Sequence, residues 1–177
     1  MPIATAFQTI GPYWALIEHP EMADLTRFGA GGDVIVLTGG ITDGDGAPVT
    51  DAAVELWQAS PPADERFPGW GRSRTDEQGR FRFTTIRPGP LPPAFGARGN
   101  AQQAPHVALN IFARGILTRL AMRAYFAGEP LNEQDAVLAM IDDPKRRETL
   151  IAQPAGERTW NLDIRLQGEG ETVFMEF

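Results

Sequence analysis

The chain has 177 residues, 42% of them hydrophobic, a formal net charge of -7 and a pI near 4.8, enough for one domain that buries about 70% of the surface its unfolded chain exposes. The negative charge, with no basic cluster longer than Lys145-Arg-Arg147, disfavours nucleic-acid binding. Zero cysteines exclude disulfides, thiolate catalysis and sulfur-ligated metals, and the single lysine, Lys145, leaves little room for Schiff-base chemistry.

A cytoplasmic location is expected: no apolar run reaches the ~20 residues of a membrane helix, and Met1-Pro-Ile-Ala-Thr lacks the charged start and apolar stretch of a secretory leader. Residues 1–177 read as one domain, with an N-terminal arm over 1–32, a β-sandwich core over 33–177 and a helical insertion near 132–152. The fold class is mostly β, with two short helices in the C-terminal third.

In the arm, Thr9-Ile-Gly11-Pro12-Tyr13-Trp14 joins a flexible residue, a rigid one and two amphipathic aromatics. Such a segment can wall a pocket for a flat ring, or simply pin the arm to the core. Val34 to Thr42 reads as a strand, Asp43-Gly-Asp-Gly46 as a hairpin turn, and Ala53 to Gln58 as the next strand, with Trp57 assigned to the core. Asp43-Gly-Asp-Gly46 lacks the later acidic positions of a calcium loop. After the turn Asp76-Glu-Gln-Gly79, Phe81 and Phe83 share one face of a strand.

A strand from His106 to Ala113 puts His106, Ala108, Asn110 and Phe112 on one face, because strand side chains alternate. Arg114 closes it before Gly115, where a guanidinium can grip a carboxylate or remain solvated. A further strand is expected over Leu117 to Phe126, helices over Asn132 to Ile141 and Pro144 to Ala152, and strands over Thr159 to Gln167 and Thr172 to Phe177. Gly168-Glu-Gly170 separates the last two as a hairpin turn.

Histidine chemistry must use His19 or His106, and their separation argues against a joint metal site. Ser60 and Ser73 are the only serines, and neither sits in a Gly-x-Ser-x-Gly turn.

Several segments together give the chain a likeness to a known family. They are Gln8-Thr-Ile-Gly-Pro-Tyr13, Val54-Glu-Leu-Trp-Gln58, Gly71-Arg-Ser-Arg-Thr-Asp76, Ile86-Arg-Pro-Gly-Pro90, Ala104-Pro-His106, Asn110-Ile-Phe-Ala-Arg-Gly115 and Arg146-Arg-Glu-Thr-Leu-Ile151. In order and spacing they resemble the intradiol aromatic-ring dioxygenases. That resemblance implies a ferric iron, Fe3+, held by two tyrosines and two histidines. Here Leu91 stands where one tyrosine is expected, Ala108 stands where the second histidine is expected, and only His106 remains. The other tyrosine would fall between Glu65 and Gly71, where Phe67 and Trp70 are the only aromatics.

By that resemblance, the chain matches members built of two homologous chains, one of which carries the iron. This chain would hold no metal and no catalytic residue of its own, with His106 a hydrogen-bonded remnant. Its partner would be an iron-bearing homologous subunit, in paired units of a larger oligomer that cleaves protocatechuate with O2 to 3-carboxy-cis,cis-muconate. Thr9, Gly11, Pro12 and Tyr13 would line the shared pocket, Arg114 would meet the substrate carboxylate, and Arg146-Arg147 would cap a helix or meet the partner. Two alternatives remain: a homo-oligomeric dioxygenase with atypical ligands, and a non-catalytic β-sandwich that binds or assembles partners.

Overall fold

The computed structural model describes residues 7, 9–93 and 102–175. Its strands are β1 (Val34–Thr42), β2 (Ala53–Trp57), β3 (Trp70–Arg74), β4 (Arg80–Ile86), β5 (His106–Phe112), β6 (Leu120–Phe126), β7 (Ile151–Gly156), β8 (Thr159–Asn161) and β9 (Ile164–Arg165). Hydrogen bonding runs in the order β3-β2-β5-β6-β7-β8-β1-β4, with β9 against β1. The two ends of this path, β3 and β4, are consecutive in the chain, and the Arg82 N–H donates to Ser73 Oγ at 3.3 Å between them.

The path therefore folds back on itself. Leu37, Ile41 and Phe83 from one half share a single buried cluster with Leu56, Leu109 and Ile111 from the other. β1 shows why: its burial alternates along all nine residues, with Ile35, Leu37, Gly39 and Ile41 inward. Gly39 belongs there because a Cβ would collide with the Leu162 carbonyl. Arg87, just past β4, lies 3.9 Å from the Phe126 ring centroid and 4.4 Å from that of Trp160. This sandwich of rings ties β4 to β6 and β8.

The mostly β class with short helices late in the chain is observed, but several extents differ. Asn132 to Ile141 forms two separate 3₁₀ turns, Pro130–Glu133 and Leu138–Met140. The cause is Asp135, whose Oδ1 accepts from the Val137 and Leu138 amides at 2.9 and 3.1 Å and competes with helical pairing. The second helix stops early, as Pro144–Glu148, with Asp143 capping Lys145 N at 2.9 Å. Leu150 is buried, and Ile151 and Ala152 pair in parallel with Tyr125 and Phe126, so the sheet takes the residues assigned to the helix.

Beyond Thr172 only an isolated bridge, Ala121 to Met175, replaces the expected strand, and 176–177 lie outside the described residues. β6 begins at Leu120, which leaves residues 115–119 as a loop. Two short helical elements lie in the arm, α1 (Trp14–Ile17) and the 3₁₀ turn Pro20–Ala23. β3 was not visible as an apolar pattern, since its inward residues are Gly71 and Ser73. Gly71 is required there by the turn Pro20–Ala23, whose Met22 carbonyl fills the space of a Cβ.

Candidate functional site

β5 carries a different environment at each end. At its start, Leu91, His106 and Ala108 line one pocket of about 220 Å³ with Trp57, Gln58 and Ala59. Leu91 is brought there by its backbone pairing with Gln103, 3.1 and 2.9 Å in the two directions. Trp57 is not core: it is 49% exposed and packs its ring 5.8 Å from that of Trp70. Its strand alternates with the opposite phase, Val54 and Leu56 pointing inward. Phe67 is buried in the core instead.

The residues in this pocket do not fit an iron ion. Leucine and alanine have no donor atom, and an indole N–H cannot ligate. His106 Nδ1 donates to the Ala104 carbonyl at 2.7 Å, which leaves Nε2 as one lone pair. Burial, and then the nearby Arg123 charge, push the His106 imidazolium below its usual range, so the ring is neutral at pH 7. The one phenol nearby, Tyr125, has its ring 5.3 Å from that of His106 but donates its hydroxyl to Asp135 Oδ1 at 3.0 Å. Burial raises its pKa well above the usual phenol value. Asp135 also accepts from Ala104 N at 2.9 Å, so this carboxylate holds the segment entering β5. Among the described residues, no three His, Asp or Glu side chains converge as a metal group.

At the other end of β5 the arm docks on the strand terminus. Gly115 N donates to the Thr9 carbonyl at 2.9 Å, and Trp14 Nε1 donates to the Asp51 carbonyl at 3.0 Å. Gly11 has φ +84° and lies so close to the strand end that a Cβ would sit 2.9 Å from Arg114 N. Thr9, Gly11 and Pro12 then wall a cleft of about 410 Å³ with Phe112, Ala113 and the loop residues Ile116 to Arg119. Its floor is the Arg72–Glu55 ion pair, 2.7 Å across β3 and β2.

Two of the sequence-level site residues stand apart from this cleft. Tyr13, just before α1, is 61% exposed, and Ile10 and Leu16 of the same arm are exposed as well. Arg114 is 67% exposed, pairs through Nε with Asp51 Oδ2 at 2.6 Å, and lines a neighbouring depression with Asp43 and Gln167. Sequence reading missed Asp51, the Arg72–Glu55 pair and Arg119. Arg119 was hidden because Leu117 to Phe126 read as one continuous strand. A visible clue was Gly115, whose φ of +78° breaks the chain direction before Arg119.

Comparison with known proteins places this geometry. A family model described as Dioxygenase matches residues 11–168. The chain is 36% identical to the protocatechuate 3,4-dioxygenase alpha chain of Pseudomonas putida, over 98% of this chain and 96% of that one. The chain belongs to the intradiol dioxygenase family. Among other members, the protocatechuate 3,4-dioxygenase beta chain of Burkholderia cepacia is 33% identical over 80% of this chain and 67% of that one. An intradiol ring-cleavage dioxygenase structure from Tetranychus urticae superposes with a TM-score of 0.58 at 16% identity, covering 92% of this chain and 94% of that one. That structural likeness speaks to the fold. Among the described residues, no helix is long and apolar enough to cross a membrane.

Proposed function

We propose that this chain is the alpha-type subunit of a protocatechuate 3,4-dioxygenase, which binds no iron itself and completes the pocket of an iron-bearing beta-type partner. The assembly opens the protocatechuate ring between its two hydroxyl-bearing carbons with O2, giving 3-carboxy-cis,cis-muconate. The observation that carries this reading is the likeness to alpha chains along 98% of the sequence, in a chain whose ligand positions hold Leu91 and Ala108. Fe3+ then belongs to the partner.

Thr9, Gly11 and Pro12 are the pocket walls this chain contributes, and exposed Tyr13, with Ile10 and Leu16, covers the join with the partner. Exposed apolar side chains grouped on one arm are typical of a surface that is buried on assembly. Arg114 presents its free NH groups to the substrate carboxylate, with Asp51 fixing the guanidinium. Residues 1–177 form one domain, arm and sandwich together. The alpha–beta units join in a larger oligomer that works in the cytoplasm, a setting in keeping with the absence of cysteine.

The test is expression of the chain alone and with a beta-type partner, followed by iron content, tyrosinate-to-iron visible absorption and oxygen uptake with protocatechuate. Alone, the chain is expected to be colourless and inactive; together, the pair is expected to be coloured and active. Iron loading and activity in the chain alone would overturn the proposal.

A further inference from the structure

We infer that the pocket at the start of β5 binds a small uncharged phenol, whose hydroxyl donates to His106 Nε2 while its ring lies against Trp57. The site goes beyond the alpha-subunit reading: it needs neither iron nor the cleft at the other end of the strand. His106 lines the pocket and is only 8% exposed. Its Nδ1 faces the Ala104 carbonyl at 2.7 Å, and a carbonyl only accepts, so the ring proton sits on Nδ1. Nε2 is then a lone-pair acceptor, and it has no hydrogen-bond partner among the described residues. The pocket's one side-chain amide is already engaged. Gln58 donates through Nε2 to the Ser60 and Ile86 carbonyls at 2.6 and 2.7 Å and accepts from Thr85 Oγ1 at 2.8 Å. A buried acceptor left open calls for a donor.

The rest of the wall selects the ligand's ring. Leu91, Ala59, Ala108 and the Trp57 indole are apolar. Trp57 is braced by Trp70, with ring centroids 5.8 Å apart and planes tilted by 52°, so it offers a fixed surface for offset stacking. Ala108 is the cross-strand neighbour of Trp57, and its methyl leaves beside the indole the room that a larger side chain would fill. The pocket holds about 220 Å³, and a cavity of about 150 Å³ is enough for benzene. A single ring with one hydroxyl therefore fits. No charged side chain lines the pocket among the described residues: Arg123, across from Ala108 on β6, donates through Nη1 to the Tyr125 hydroxyl at 3.3 Å instead. A carboxylate on the ring would lose its water with no cation to replace it. The selectivity is thus opposite to that proposed at Arg114.

The experiment titrates the full chain with phenol, toluene and benzoate, following tryptophan fluorescence and the nitrogen NMR resonance of His106 Nε2. Phenol is expected to bind saturably and about 3- to 10-fold more tightly than toluene, which has its shape without the donor, as for one hydrogen bond. Phenol is also expected to shift the His106 resonance, which a merely structural histidine would not show. Benzoate is expected to bind at least about 10-fold more weakly than phenol. Ala108→Leu, on the outer face of the sheet, fills the pocket and is expected to abolish binding of phenol and toluene alike, whereas His106→Leu is expected to erase the difference between them. Equal affinity of the native chain for phenol and toluene, a His106 resonance unmoved at saturating phenol, tighter binding of benzoate, or unchanged phenol binding by Ala108→Leu would each overturn the inference. None of these outcomes touches the alpha-subunit reading, which iron content and oxygen uptake decide.

Discussion

Gly11→Ala tests whether the docked arm is part of the substrate site. The added Cβ would lie 2.9 Å from Arg114 N, 3.1 Å from Arg114 Cγ and 3.3 Å from the Ala113 carbonyl carbon, and two of these are backbone atoms of the strand end. The φ of +84° at Gly11 also costs an alanine about 1–2 kcal/mol. Relief by lifting the arm breaks the hydrogen bond from Gly115 N to the Thr9 carbonyl, 2.9 Å long, worth about 1 kcal/mol. That bond resists lifting in both proteins alike, so the strain of about 1–2 kcal/mol is what turns against docking. At 1.36 kcal/mol per decade, the upper figure weakens a binding step that needs the docked arm by about 30-fold. The assays are hydrogen exchange at the Gly115 amide and steady-state oxygen uptake by the assembled enzyme. The expected result is loss of protection at Gly115 and a KM for protocatechuate raised about 30-fold. Retained protection would refute the steric argument, and lost protection with unchanged KM would refute the role of the arm.

Three further outcomes follow from the interior. Asp135→Asn removes the charge from a fully buried acceptor serving Ala104 N, Val137 N, Leu138 N and the Tyr125 hydroxyl; denaturant unfolding is expected to show a loss of about 2–4 kcal/mol. Gly39→Ala, whose Cβ would strike the Leu162 carbonyl, is expected to cost more than about 3 kcal/mol, whereas Gly29→Ala, with nothing within 4 Å of the new carbon, costs about 1 kcal/mol for its φ of +85°; a shared thermal midpoint for the two variants would contradict this. Burial lowers the His106 pKa in the folded chain, so the unfolded chain binds more protons once the pH drops below the ordinary histidine range, and stability falls as the pH falls from about 6.5 toward the depressed value. His106→Gln should flatten that part of the stability profile, and equal slopes in the two proteins would remove the histidine as the cause.

What could be read from the sequence is what is written in apolar alternation. β1, β2, β4 and β5 announce themselves because their inward residues are large and apolar, as Leu37, Leu56, Phe83 and Leu109 are. β3 was silent because Gly71 and Ser73 point inward, and β7 because Leu150 to Ala152 suits a helix until parallel pairing with β6 claims it. The same limit applies to the site. The arm motif and the segments around Leu91 and His106 are each contiguous in the chain, so their residues could be named from the sequence. The row Arg72, Glu55, Asn110 and Arg119 spans four elements, and only the register of the sheet brings it together. The phase error at Trp57 has a related origin, since a tryptophan in an alternating strand gives no sign of which face is covered.

The two ends of β5 are held by different groups. His106 and Phe112 are the first and last residues of the strand, which at about 3.3 Å per residue puts the two ends about 20 Å apart. The start is held by Asp135, which fastens Ala104, Tyr125 and the turn at Leu138 without any metal. Because that fastening is made of protein groups, the strand stays in place with Leu91 and Ala108 beside it. The end of the strand, and with it the arm, Arg114 and Arg119, then keeps its geometry whatever happens at the start. On the alpha-subunit proposal, that rigidity is what a pocket wall offered to a neighbouring chain requires.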